Sequence, residues 1–157
     1  MSTESPVTIE QVLDGSRDAI LAEANEAVAR AHLASYEKSG AEPTANRLRT
    51  LFEVTSAAVA ERRLGHAIEH ARRIAHDRYH AGFDLGEVQT AINVLEEAIW
   101  RQVLARVSPT DQAQALGLVS TVLGAIKDTL ARTYVEHASR THAPTLDLRA
   151  LFDRPAK

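Results

Sequence analysis

The stretch from Leu64 to Trp100, LGHAIEHARRIAHDRYHAGFDLGEVQTAINVLEEAIW, constrains the fold more than any other part of the chain. Leu64, Ala67, Ile68, Ala71, Ile74 and Ala75 recur at three- and four-residue steps, which makes one face of a helix apolar. Gly82 is placed to end that helix as a C′ residue with positive φ. Asp84 then reads as an N-cap with Glu87 three residues on, and Phe83 and Val88 fall at N′ and N4, where a hydrophobic staple forms. The prediction is a central helical hairpin whose two arms fold back on each other. Its first arm carries His66, His70, His76 and His80; its second carries Gln89, Asn93, Glu96 and Glu97 beside an apolar stripe. No known reaction can be read from that set.

Composition narrows the function classes. A chain of 157 residues is most simply one domain, able to bury roughly 70% of its unfolded surface without covalent staples. The formal charge is −3 and basic residues alternate with acids, as in Glu61-Arg62-Arg63 and His76-Asp77-Arg78, so no basic face for nucleic acid is expected. The absence of cysteine removes disulfides, thiolate metal sites and cysteine nucleophiles. No apolar run approaches the length of a membrane span and MSTESPVTIEQ has no signal-like core, so the expectation is a cytoplasmic protein with no membrane partner.

Residues 1–7 read as a flexible tail and residues 8–140 as an all-α, single-domain bundle of about five or six helices. Thr8 and Gln11 form a capping-box pattern, with Asp14-Gly15-Ser16 interrupting or recapping. A longer helix is predicted from about Ser16 to Lys38, on a stripe of Ile20, Ala24, Ala27, Val28, Ala31, Ala34 and Ser35. Ser39-Gly40 stops it, and Pro43-Thr44 begins the next, with Leu48, Leu51, Phe52, Val59 and Leu64 at helical spacing. Ser108-Pro109-Thr110-Asp111 is a strong start signal for a last helix reaching about Ser139 and burying Leu116, Val119, Val122, Leu123, Ile126, Leu130 and Tyr134. On its flank Gly117, Ser120, Thr121, Gly124 and Ala131 form a stripe of small residues. Each helical glycine costs about 1 kcal/mol relative to alanine, so close helix approach is the expected offset, either inside the bundle or at a dimer seam of Gly117, Thr121, Gly124 and Ala131. Residues 141–157 contain Leu146, Leu148, Leu151 and Phe152 and are expected to form a short amphipathic helix, docked on the bundle or offered to a partner.

His66 and His70 stand four residues apart, as do His76 and His80, and each pair shares a helix face that can hold a metal ion. A solvated polar stripe is the competing reading of the same residues. A di-iron bundle is disfavoured, because Glu69-x-x-Arg72 and Glu97-x-x-Trp100 lack the Glu-x-x-His pairing. A haem would need one axial histidine, and His70 or His76 could serve. Gln89, Asn93, Glu96 and Trp100 form a polar-aromatic stripe on the next helix, which would line a pocket if it faced the histidines and would solubilise the chain if it faced water. No phosphate loop, G-x-S-x-G elbow or H-E-x-x-H helix is present, so no catalytic residue and no enzyme activity are expected.

Arg78-Tyr-His-Ala-Gly82-Phe-Asp-Leu-Gly-Glu87-Val88, followed by a helix through Ala98-Ile99-Trp100, resembles the helical N-terminal domain of the RsbT co-antagonist proteins of bacterial stress-signalling assemblies. The resemblance runs from about Ile20 to Tyr134 and includes a histidine near His70, an arginine like Arg78, Gly82 and the Glu87-Val88 pair. It implies a non-enzymatic regulatory or sensor module that binds protein partners, and the expectation drawn here is a homodimer with no cofactor. His70, Arg78, Gln89, Asn93, Glu97 and Trp100 are the expected ligand or interaction surface. A metal- or haem-binding sensor built on His66, His70, His76 and His80 is the alternative. The sequence after Ser139 leaves no room for the family's usual following domain, so a stand-alone copy is expected.

Overall fold

The computed structural model describes residues 5–142, with side chains described through Arg140, and among these helices joined by short connections are the only regular structure. The elements are α1 (Ile9–Gly15), α2 (Arg17–Arg30), α3 (Ala34–Ser39), α4 (Ala41–Glu61), α5 (Gly65–His80), α6 (Leu85–Arg106) and α7 (Pro109–His142). α7 runs two residues into the expected tail over 141–157; the rest of that tail, with its expected amphipathic helix, and residues 1–4 of the expected tail over 1–7 lie outside the described residues. No described helix is long and apolar enough to cross a membrane.

Seven helices appear where five or six are expected, because the predicted helix over Ser16–Lys38 is broken. α2 stops at Arg30, and His32 takes φ 49° before α3 begins. Neither glycine nor proline marks the break; tertiary contacts impose it. Bending there puts Tyr36 into the core edge-on to Phe83, with ring centroids 5.0 Å apart. It also lets the Ser35 N–H donate to Glu87 Oε1 at 2.9 Å. The Tyr36–Phe83 contact is of a kind worth about 0.5–1.5 kcal/mol beyond its buried area, enough to offset one left-handed residue. α4 likewise ends at Glu61, three residues before Leu64, and is capped by Arg62 with φ 55°, whose guanidinium reaches the Val59 carbonyl and lies 3.0 Å from Glu10.

The turn after α5 is built as its sequence dictates. Gly82 has φ 82°, its N–H donates to the Tyr79 carbonyl, and the Phe83 N–H donates to the Arg78 carbonyl at 2.9 Å, the paired bonds of a Schellman motif. Asp84 caps α6 through the Gly86 N–H at 3.0 Å, and Glu87 returns a bond to the Asp84 N–H. Phe83 and Val88 are both buried.

The arms of this helix–turn–helix nevertheless do not make each other's main contact, a correction to the hairpin expectation. α5 packs chiefly on α7, and α6 on α2 and α7, so α7 serves both arms. The reason lies in side-chain size. α5 buries only Ala67, Ala71 and Ala75, a narrow groove that admits a neighbouring backbone, and the 34-residue α7 supplies it. Leu95, Ile99, Leu123, Ile126 and Leu130 fill the common core. The Tyr134 hydroxyl donates to the Phe83 carbonyl at 3.0 Å and ties α7 to the turn; burial pushes its pKa up to about 12.

Candidate functional site

Three groups of side chains surround the α5–α6 turn and the outer side of α6 and α7. The first is cationic. Arg47 of α4 and Arg78 of α5 lie over the Phe83 ring, with guanidinium carbons 4.8 and 5.6 Å from its centroid. Arg47 Nη1, Arg78 Nε and His70 Nε2 are buried with no hydrogen-bond partner among the described residues. A cavity of about 20 Å³ lies beside them, lined by Tyr36, Arg47, Ile74 and Arg78 among others, and it has room for about one water. Burial, reinforced by Arg78, draws Arg47 below its usual value, and burial with Arg73 and Arg78 nearby draws His70 down. Tyr36 is raised, also by burial. Glu87 is held low by its bond from Ser35. Sequence reasoning selected His70 and Arg78 but missed Arg47. Its signal was present: it falls on the edge of the apolar face of α4, one turn before Leu51.

The second group is imidazole. The four histidines of α5 do not act together: six residues separate His70 from His76, about 9 Å along the axis and a third of a turn around it. His66 is exposed, and His70 Nδ1 lies 3.3 Å from Arg73. His76 and His80 meet ring to ring at 4.3 Å. His137 of α7 joins them, 5.2 Å from His76 and 5.3 Å from His80. Sequence reasoning missed His137 because it lies 57 positions after His80 and only the α5–α7 packing brings it near.

The third group is the outer face of α6 and α7. Asn93 Oδ1 accepts from Lys127 Nζ at 3.1 Å, and Glu96 lies 3.4 Å from the same ammonium. Glu97 pairs with Arg101 at 2.7 Å, and Arg101 also reaches Glu23 of α2. Gln89 is half-buried at the start of this face. The stripe therefore addresses α7 and α2, away from the histidines of α5. Trp100 is 39% exposed and Leu104 is 55% exposed, both on the Asn93 side of α6. The Lys127–Asn93 contact sets the antiparallel register, so Trp100 stands level with the Gly117–Gly124 part of α7. Among the described residues no side chain or neighbouring helix comes within 4 Å of where a Cβ on Gly117 or Gly124 would stand. Thr121 is exposed with its hydroxyl donated to the Gly117 carbonyl, and Ala131 is half-buried.

A family model described as the RsbT co-antagonist protein rsbRD N-terminal domain matches residues 10–149. No curated protein and no solved structure matches the chain.

Proposed function

The chain belongs to the family of RsbT co-antagonist N-terminal domains, and from that premise we propose that it is a non-enzymatic regulatory module working through protein contacts, as a homodimer. The observation that carries the reading is the outer α6–α7 face, where Trp100 and Leu104 stand exposed level with glycines that no neighbouring side chain or helix among the described residues approaches. Two glycines inside a helix cost about 1 kcal/mol each, and an exposed indole beside an exposed leucine is apolar area left in water. A second copy seated against this face offsets both costs. Gln89, Asn93 and Glu97 extend this surface along α6, while His70 and Arg78 of α5 offer a second, separate surface in the cationic group beside Phe83.

The test is association. Gly117→Glu combined with Gly124→Glu adds charge without an internal clash, and the expected outcome is a folded monomer by light scattering where the unmodified chain is a dimer. A double variant that stays dimeric removes the seam.

A further inference from the structure

We propose that His76, His80 and His137 form a binding site for a divalent transition-metal ion of the zinc class. Their candidate ligand nitrogens all lie within 4.8 Å of one another. A tetrahedral zinc with bonds of about 2.1 Å sets its nitrogen ligands about 3.4 Å apart, so rotation of the side chains closes the remaining gap. His76 and His80 occupy adjacent turns of α5, the i,i+4 arrangement that directs two imidazoles at one point, and His137 supplies the third from the facing helix. Two helices that already make the fold's most extensive contact therefore hold the three ligands, and no chain movement is needed to assemble them.

The surroundings support the ring that matters most. Tyr79 stacks on His137 with centroids 5.1 Å apart and an interplanar angle of 22°. Tyr79 in turn meets Tyr134 edge-on at 5.5 Å, and Tyr134 is anchored to the Phe83 carbonyl. An aromatic layer thus fixes the side of the site facing the core, while His76 and His80 are exposed and leave a further coordination position open to solvent. An all-imidazole set without thiolate suits zinc, copper, nickel or cobalt over calcium or magnesium. Haem is less well served: no histidine lines the cleft of about 260 Å³ beside Val7, Ile9 and Leu118 or the cleft of about 250 Å³ beside Asn25, Val28, Tyr36 and Thr44. The site goes beyond the dimer reading and does not depend on it.

The experiment uses the full chain without a polyhistidine tag, stripped with chelator and titrated with zinc chloride by calorimetry and cobalt chloride by visible absorption. The expected result is one equivalent of zinc, ligand-field bands with cobalt, and a zinc-dependent rise in Tm. His137→Ala and His80→Ala should each weaken zinc binding at least tenfold, and His66→Ala should leave it within twofold. His80 is exposed, so its variant decides the matter even if His137→Ala loses its fold by circular dichroism. Absence of stoichiometric binding by the unmodified chain, or affinity unchanged in folded His80→Ala or His137→Ala, overturns the site.

Discussion

Two stripes of small residues run along neighbouring helices and are used in opposite ways. On α5, Ala67, Ala71 and Ala75 are wholly buried, and the groove they leave is filled by the helices packed on it. On α7, Gly117 and Gly124 look onto space that, among the described residues, no side chain or neighbouring helix enters within 4 Å. Both stripes read alike in sequence, as small residues at three-, four- or seven-residue steps. The difference shows that small side chains record a close approach only when something approaches. On α5 the neighbour is α7 itself; on α7 the proposed neighbour is a second copy.

The largest effect that would sharpen this contrast is expected at Ala71. With no exposed surface and no room around it, Ala71→Leu should overpack the α5–α7 contact and cost about 1–3 kcal/mol in urea unfolding. A cost near zero would show that α5 is loosely seated. The opposite sign is expected at Gly117, where Gly117→Ala should stabilise the monomer by about 1 kcal/mol at low protein concentration. A loss of stability there would show that the stripe is already covered in the monomer.

The smallest effect expected is acid sensitivity at the cationic end of α5. Burial, then Arg73 and Arg78, lower the His70 pKa, so the folded state favours neutral imidazole more than the unfolded state does. Its contribution is present above the unfolded value of about 6.5 and is lost as pH falls through the depressed folded value. His70→Gln should flatten the decline in stability below pH 6.5, measured as Tm against pH. His137, lowered first by burial, leaves some slope behind. An unchanged profile would place the acid response elsewhere.

Local chemistry was legible where bonds close within a few residues. The Thr8–Gln11 box, the Gly82 turn, the Asp84–Glu87 box and the start of α7 at Pro109 all stand where the sequence puts them. Of the residues expected to be buried on α7, only Leu116 is merely half-buried. The break at His32 was not legible, because it answers to Tyr36 meeting Phe83, 47 positions away. For Arg47 the sequence shows only a cation on the edge of the apolar face of α4; that it stands over Phe83 together with Arg78 is set by tertiary packing.

By itself, then, the sequence determined an all-helical chain, its caps and turns, and the apolar faces that had to be covered, because those rest on backbone hydrogen bonds and residue spacing along one helix. Tertiary structure alone decided which helix covers which face, and with it that His137 completes a group begun by His76 and His80 while His66 and His70 stand apart. Helical periodicity states that a face seeks a partner; the partner is chosen by shape, here a groove of alanines wide enough for α7.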